Sequence, residues 1–370
     1  MTGTRADFGK LRPLAEEARN QGMQIRFFVT GMHMLIKYGL TKEEVHAAFG
    51  GEDIVEFLNH RDGDPQDVVL AKTVLGFSDY LQAYPADLVV VHGDRVEALA
   101  CSLVCATNYI SCAHVEGGEV SGTIDEIFRH CNTKLASHHI VSSQQAAERV
   151  KNLGEETSRI FVIGSPELDV HSKPSGVSIS EVRQHYGIPS EEYGICLFHP
   201  VTSEQSQMAN QARGLFQALR ASNRHYVVIL PNNDPGANVI LDEIASLPRS
   251  RFRILPSMRF NYFSELMKNA KLIIGNSSAG VREAPFLGIP SINIGSRQTN
   301  RGLALSTHHC DAEDDMVLRD LINNLWGKRF ATNTGYGEGS AAVKFGKILS
   351  DEDFWNVADQ KVFVDREFPE

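Results

Sequence analysis

The sequence ISCAHVEGGEVSGTIDEIFRHCNTKLA, residues 110–136, decides both the fold and where to look for a site. Residues 110–113 have the apolar character of a short strand, and a glycine-containing loop with charged side chains follows at once. A helix is predicted next. It carries Asp125 and Arg129, which are four residues apart, so a carboxylate and a guanidinium share one helix face. Open α/β sheets bind ligands in the loop just past a strand. The stretch therefore predicts a functional site.

A second explanation exists for the first acid of this helix. Asp125 lies in the first turn, where a negative charge is favourable beside the helix dipole. For one acid alone, that explanation stays open. The density of ionisable groups beside Gly117 and Gly118 favours a site. Those groups are His114, Glu116, Glu119, Glu126 and His130.

The preceding segment of the chain repeats the arrangement. Residues 87–92, DLVVVH, form a nearly continuous apolar run, which is typical of a strand covered on both faces. The sequence HGDR follows at 92–95. Asp94 also fits a helix N-cap. However, Asp94 and Glu116 follow consecutive parallel strands, so we expect both carboxylates at the same edge of the sheet.

Strand-like and helix-like segments alternate along all 370 residues, a length that suits two domains. This alternation predicts parallel sheets. It is interrupted by a polar segment at about 171–190 and then restarts. We predict an α/β fold of two Rossmann-like, doubly wound domains facing a cleft, a GT-B-like architecture by fold-level analogy. The predicted bounds are 1–170 and 171–350 for the two domains, and 351–370 for a tail helix.

Polar residues also follow the predicted strands of the second half. His199 and Asn232 each come directly after a strand-like run, and Ser277 and Ser278 follow another. A serine pair at a helix N-terminus can bind a diphosphate through its hydroxyls and the free backbone N–H groups. N-capping explains the pair equally well. The remaining candidates in this half are Glu283, Arg297 and Arg301.

The chain begins with MTGTRADFGK, residues 1–10. Arg5 and Lys10 flank the start of the first predicted helix, where free N–H groups favour an anion. An ordinary turn with two solvated cations is the simpler alternative. Only Met1 stands where a parallel sheet needs the strand before this turn. We expect either an earlier start or an incomplete sheet, and we expect a form extended by about seven apolar residues to be more stable and more active.

Composition excludes several classes of protein. The formal charge of −10 argues against a nucleic-acid partner, and no apolar run is long enough to span a membrane. The six cysteines include no C-x-x-C pair, so neither a disulfide framework nor a zinc site is predicted. No G-x-G-x-x-G follows a strand, so no nicotinamide or flavin cofactor is predicted. We expect a reduced, cytoplasmic protein.

Seven motifs, in order, carry a resemblance to a known family. They are TGTRADFGK, VHGDR, HVEGGEVSGTIDEIFRH, FHPVT, PNND, GNSSAGVREAP and GSRQTNR. Together they closely resemble the hydrolysing UDP-N-acetylglucosamine 2-epimerases of bacterial sialic-acid biosynthesis, over essentially the whole chain. The resemblance implies conversion of UDP-N-acetylglucosamine and water to N-acetylmannosamine and UDP. It also implies two Rossmann-like domains, no redox cofactor and no essential metal. We further expect a homodimer or homotetramer.

The resemblance also implies site residues. The catalytic set that it implies is Asp94, Glu116, Asp125, Arg129 and His130. The positions that it implies for substrate binding, at the nucleotide or its phosphates, are Arg5, Lys10, His199, Asn232, Ser277, Ser278, Glu283 and Arg301. The sequence does not say which carboxylate is the base and which is the acid.

The chain departs from the family pattern at two places. The hydrophobic first strand that relatives carry before TGTRAD is absent, and Ser137 stands where many relatives have a histidine. Four alternatives stay open. Two are other epimerases: a 2-epimerase of a related UDP sugar, such as the 4-acetamido-6-deoxy substrate of legionaminic-acid synthesis, and one that releases UDP-N-acetylmannosamine. The other two are a glycosyltransferase of the same architecture and an inactive UDP-sugar-binding relative.

Overall fold

The structure, a computed structural model, describes residues 1–365 apart from 62, 233, 302, 303, 357 and 359. The chain divides into two compact units. The N-terminal unit consists of Met1–Glu119, Asp125–Asp169 and Tyr336–Glu370. The C-terminal unit consists of Val120–Ile124 and Val170–Gly335. No described helix is long and apolar enough to cross a membrane.

Parallel strands and helices alternate in the N-terminal unit. Its strands are β1 Arg26–Val29, β2 Asp53–Glu56, β3 Val89–His92, β4 Cys112–Val115, β5 His138–Val141 and β6 Ile160–Val162. Its first helices are α1 Arg5–Asn20, α2 Lys42–Phe49, α3 Gln66–Ala83, α4 Val96–Thr107, α5 Asp125–Leu135 and α6 Gln144–Asn152. Helix α7, Glu167–Ser172, crosses the division between the units. Strand β4 begins two residues later than predicted.

Strands β4 and β5 of the N-terminal unit are fully buried because helices cover both faces of their sheet. Strands β3 to β6 pair in that order, all in parallel. Cys112 packs in a cluster with Cys101 and Cys105 of α4, whereas the next residue, Ala113, packs in a cluster with Leu14 of α1. Neighbouring side chains of one strand thus enter cores on opposite faces, as a doubly wound fold requires.

The sheet of the N-terminal unit is divided between β1 and β3. Strands β1 and β2 pair as a separate two-stranded sheet. At the division, the Met1 amine donates to the Val90 carbonyl at 3.0 Å. The Thr2 N–H donates to the Phe28 carbonyl at 3.0 Å, and the Thr30 N–H donates to the Thr2 carbonyl at 3.1 Å. The first two residues therefore bond to both sheets and hold the turn before α1.

A cavity of about 370 Å³ lies between these two sheets. Side chains of β1, β3, α1 and α3 line most of it, among them Phe27, Phe28 and Val89. The lining is mainly apolar, which suits a strand covered on both faces. An apolar gap thus separates β1 from β3.

The C-terminal unit has one continuous, parallel, six-stranded sheet in the order β12-β11-β10-β7-β8-β9. Its strands are β7 Gly194–Leu197, β8 Tyr226–Ile229, β9 Phe252–Leu255, β10 Leu272–Gly275, β11 Ser291–Ile294 and β12 Thr307–Cys310. Its helices are α8 Ile179–Tyr186, α9 Met208–Ala221, α10 Ala237–Ala245, α11 Phe260–Asn269, α12 Glu283–Phe286 and α13 Asp315–Leu325. Two hydrophobic clusters cover the two faces.

The last helices differ from the predicted domain bounds. Helix α14, Ala341–Leu349, was assigned to the C-terminal domain, but its Phe345 and Leu349 pack with Leu14 of α1 in the N-terminal unit. The tail forms only the four-residue helix α15, Glu352–Trp355, within its described part. An amphipathic helix has the same sequence pattern whichever core it covers, so the pattern could not assign α14 to a unit.

Candidate functional site

Four ionisable side chains of the N-terminal unit lie together at the carboxyl ends of β3 and β4. His92 ends β3; its Nδ1 lies 3.0 Å from Asp7 Oδ1 and its Nε2 lies 3.1 Å from Glu116 Oε2. Lys10 Nζ donates to the same Glu116 oxygen at 2.9 Å. Ser165 Oγ lies 2.6 Å from the other oxygen of Glu116. All of these groups are wholly or largely buried, so the carboxylate is fixed from three sides.

Glu116 also has an unusual backbone conformation. Its φ is +65°, in the left-handed region that few residues other than glycine adopt. Its N–H donates to the Ile140 carbonyl of β5 at 2.8 Å, which holds the turn in place. Gly118 follows, and a Cβ there would lie 2.2 Å from the Ala146 carbonyl oxygen. Strained positions of this kind cluster at functional sites, so the turn supports a site at the end of β4.

Asp94 and Arg129 form a second ionic contact in this unit. The Arg129 guanidinium donates to Asp94 Oδ2 and, at 3.1 Å, to the Glu119 carbonyl. Arg129 is buried, whereas 27% of the Asp94 side chain is exposed. The spacing predicts that Arg129 shares a helix face with Asp125, and in the structure Arg129 also contacts the acid after β3. Asp94 thus has a buried guanidinium as its partner, while part of its side chain stays exposed.

Asp125 and His130 lie on α5. Asp125 is the first residue of this helix. His130 Nε2 lies 3.7 Å from Glu126 Oε1, one turn earlier. Partial burial lowers the pKa of His130, although the nearby Glu126 carboxylate acts to raise it. His130 is therefore largely neutral at neutral pH and only partly buried.

The two cations near the N-terminus have carboxylate partners. Arg5 pairs with Glu44 of α2, while Lys10 pairs with Glu116 and lies 3.7 Å from Glu167. The simple alternative of two solvated cations is thus wrong for both, because each makes an ion pair and is mostly buried. Whether they also bind an anion stays a prediction.

Sequence reasoning missed four members of the Glu116 cluster. These are Asp7, His92, Ser165 and Glu167. Asp7 and His92 lie inside the quoted motifs TGTRADFGK and VHGDR, so their ionisable side chains were a usable signal. Nothing in the sequence around Ser165 indicates that its hydroxyl contacts Glu116, 49 residues earlier.

In the C-terminal unit, His199 lies just past β7 and bonds to amides rather than carboxylates. Its Nδ1 accepts from the Asn232 N–H at 3.2 Å. The Asn276 side chain accepts from the His199 N–H at 2.7 Å and donates to the His199 carbonyl at 2.8 Å. Burial, with Arg297 nearby, lowers the pKa of His199 to about 3. The imidazole is therefore neutral at physiological pH.

The loop after β11 folds back toward the end of β10. Gln298 Nε2 and an Arg297 guanidinium nitrogen donate to the Asn276 carbonyl at 2.8 and 3.2 Å. Arg301 Nε donates to the Val120 carbonyl at 2.7 Å, within the same unit. Ser277 Oγ accepts from the Ala279 N–H at 3.4 Å, so its N-capping role is confirmed. Nitrogen donors thus gather at these strand ends.

Glu283, at the start of α12, has a buried partner. Its Oε1 lies 2.9 Å from His171 Nε2, and Ser264 Oγ lies 2.8 Å from His171 Nδ1. All three residues are buried. The sequence predicted Glu283 as a candidate but indicated neither His171, which contacts it, nor Ser264, which contacts His171. No group of three or more candidate metal ligands occurs in the part of the chain that the structure describes.

Known proteins resemble this chain in sequence and in fold. The family described as UDP-N-acetylglucosamine 2-epimerase matches residues 15–350. A UDP-N-acetylglucosamine 2-epimerase of Neisseria meningitidis serogroup B is 40% identical over 99% of this chain and 98% of its own length. A Legionella pneumophila enzyme named UDP-N,N'-diacetylbacillosamine 2-epimerase (hydrolyzing) is 29% identical over 94% of each chain.

A solved structure shows the same fold. It is a UDP-GlcNAc 2-epimerase of Neisseria meningitidis bound to UDP-GlcNAc, with a TM-score of 0.78 at 16% identity. The match covers 94% of this chain and 98% of that one. The predicted α/β fold of two domains with parallel sheets is confirmed. Because the family match spans most of the sequence and a relative 40% identical aligns almost end to end, the chain belongs to the UDP-N-acetylglucosamine 2-epimerase family.

Proposed function

We propose that this protein is a hydrolysing 2-epimerase, which converts UDP-N-acetylglucosamine and water to N-acetylmannosamine and UDP for sialic-acid biosynthesis. The observation that carries the proposal is the cluster of ionisable groups at the ends of β3 and β4, in a chain of this family. The sequence form TGTRAD, with Ala6-Asp7, and the hydrolysing Legionella relative support the hydrolytic branch.

The reaction explains why several acids are needed. The C2 proton of the sugar has no adjacent carbonyl, so direct removal is very unfavourable. Elimination avoids this: a base takes the C2 proton, the C1–O bond breaks, and UDP leaves with that electron pair. Water then adds to the resulting glycal, with hydroxyl at C1 and a proton on the other face of C2. The overall change is redox-neutral, so the scheme requires no redox cofactor.

We assign the proton transfers to Asp94, Glu116 and Asp125 in the N-terminal unit, with Arg129 and His130 beside them. General acid–base groups typically contribute about 10²–10⁴-fold to a rate. We assign nucleotide binding in the C-terminal unit to His199, Asn232, Ser277, Ser278, Glu283 and Arg301, and an anion-binding role to Arg5 and Lys10. N–H groups, hydroxyls and cations stabilise the departing diphosphate.

The test is incubation with UDP-N-acetylglucosamine in D₂O, with UDP and sugar followed together by NMR. We expect equal amounts of UDP and N-acetylmannosamine, with deuterium at C2 of the sugar. UDP-N-acetylmannosamine without free UDP would show a non-hydrolysing enzyme instead. Bound UDP without turnover of any UDP sugar would indicate an inactive relative.

A second candidate is hydrolysis of a related UDP sugar. The Legionella relative favours it, since its name gives UDP-N,N'-diacetylbacillosamine as substrate. Comparing kcat/KM for the two UDP sugars separates the candidates, and we expect UDP-N-acetylglucosamine to be preferred. The homo-oligomeric state and the cytoplasmic location also stay predictions, which size-exclusion light scattering and cell fractionation check.

A further inference from the structure

Three side chains from separate parts of the N-terminal unit, Asp7, His92 and Glu116, lie in a buried row linked by hydrogen bonds. Asp7 lies on α1, His92 ends β3, and Glu116 follows β4. The His92 ring bridges the two carboxylates at 3.0 and 3.1 Å, and each of the three residues is at most 8% exposed. The Gly3 N–H also donates to Asp7 Oδ2, at 3.3 Å. A base whose orienting partner is itself held by a third group is a recurrent catalytic arrangement.

Other charged groups act on this row from neighbouring elements. Lys10 of α1 is 2.9 Å from Glu116 and 3.7 Å from Glu167, at the start of α7. The remaining groups are His33 after β1, Arg95 in the loop after β3, Glu97 of α4, which is 3.9 Å from Arg95, and His114 of β4. Burial holds His33 and His114 neutral, since it lowers their pKa values to about 4 and about 3.

We propose that His92 is a positioning residue: as an imidazolium held by Asp7, it donates to Glu116 and keeps that carboxylate ionised and aimed for proton transfer. An imidazolium donates from both ring nitrogens, which matches two carboxylate neighbours. A neutral ring has one N–H, so one carboxylate then faces a nitrogen lone pair. The inference rests on the proposed function, in which Glu116 takes part in proton transfer.

The electrostatics agree with this arrangement. Burial and the charge of Lys10 oppose a proton on His92, but hydrogen bonds to Asp7 and Glu116 outweigh both and raise its pKa. The same contact with His92 holds the pKa of Asp7 below its usual value in spite of burial. A His with a raised folded-state pKa stabilises the fold below its unfolded pKa, and that contribution is lost as pH rises through the folded value.

The decisive measurement is the pH dependence of kcat in three proteins. In the wild type, activity should fall on the alkaline side as His92 loses its proton. Asp7→Asn should shift this alkaline limb to lower pH by about one unit or more, because it removes the nearest negative partner of the ring. His92→Gln should lower kcat about 10- to 100-fold, as expected for loss of a hydrogen bond to a charged group, and should remove the limb.

His138→Gln is the matched control. His138 is a buried histidine of β5 in the same unit. Its Nε2 lies 2.8 Å from the Phe354 carbonyl, and its ring has no hydrogen bond to Asp7, His92 or Glu116. This variant should keep the wild-type pH profile even where stability falls. An unshifted alkaline limb in both Asp7→Asn and His92→Gln would overturn the inference. Lower activity without a shift would mean a purely structural role and would overturn it too.

A second readout is independent of turnover. NMR titration of the His92 ring should give a higher pKa in the wild type than in Asp7→Asn or Glu116→Gln. Equal ring pKa values in all three proteins would refute the coupling. Failure of the proposed function is recognised separately: full activity in Glu116→Gln would remove Glu116 from the reaction, whatever the His92 titration shows.

Discussion

The two units each place a histidine where a parallel strand ends, and the surroundings shift the pKa values of the two rings in opposite directions. His92 ends β3 and bridges two carboxylates, which raise its pKa. His199 follows β7 and bonds to backbone and amide groups near Arg297, and burial lowers its pKa to about 3. Residue type and place in the topology are therefore poor guides to protonation, because the partners decide it.

The two environments suit different functions. A protonated ring between two carboxylates favours the ionised form of each carboxylate, as a proton-accepting site requires. A neutral ring among N–H donors and an arginine suits an anion-binding site. The charge of such a ring stays constant near neutral pH. The two sheets differ as well, since that of the C-terminal unit is continuous and that of the N-terminal unit is divided between β1 and β3.

The largest expected effect is on the carboxylates of the N-terminal unit. Asp94→Asn, Glu116→Gln and Asp125→Asn should each lower kcat by roughly 10²-fold or more, because each removes a group assigned to proton transfer. UDP affinity, measured by calorimetry, should be nearly unchanged. Near-normal turnover in one variant would remove that residue from the mechanism.

The next effect concerns the divided sheet. Adding seven apolar, β-branched residues before Met1 should stabilise the N-terminal unit by about 2 kcal/mol and raise activity. Each buried aliphatic side chain contributes roughly 1.5–3 kcal/mol, while ordering each residue costs about 1–2 kcal/mol. Urea unfolding measures the difference. A seven-residue Gly/Ser extension is the control. If the apolar and the Gly/Ser extensions gave equal stability, the cavity would not accept a strand.

The polar groups of the C-terminal unit should affect binding rather than chemistry. Ser278→Ala and Glu283→Ala should each weaken UDP binding about tenfold, or roughly 1.4 kcal/mol, with a smaller change in kcat. Calorimetry with UDP measures this. Ser246→Ala, at the exposed end of α10, is the matched control and should bind UDP normally. Unchanged affinity in both test variants would place the nucleotide elsewhere.

The smallest effect is a pH dependence of stability. The folded pKa of His199 is about 3, well below an unfolded value of about 6.5, so the unfolded state binds more protons between these values. Stability should thus fall as pH drops below about 6.5, by at most about 1.4 kcal/mol per pH unit from this residue. His199→Asn should flatten the slope in urea titrations at pH 5, 6 and 7. An unchanged slope would contradict the burial of a neutral ring.

Local sequence predicted the position of several candidate side chains in the fold. Asp94, Glu116, His199 and Ser277 were found because each follows an apolar run that forms a buried parallel strand. The sequence did not predict strands β2 and β12, since both carry polar or charged residues. Hydrophobic periodicity is weak in such segments, and only pairing with a neighbouring strand reveals them.

The sequence by itself determined the fold class, the family and the strand-end residues, because these follow from local hydrophobic pattern and ordered motifs. Tertiary structure alone decided which side chains meet. His92 contacts Asp7 from 85 residues away, and Lys10 contacts Glu116 from 106 residues away. It also decided that α14 packs on α1. The charge state of a buried side chain depends on its burial and on its hydrogen-bond and charged partners, and both arise only when distant segments pack together.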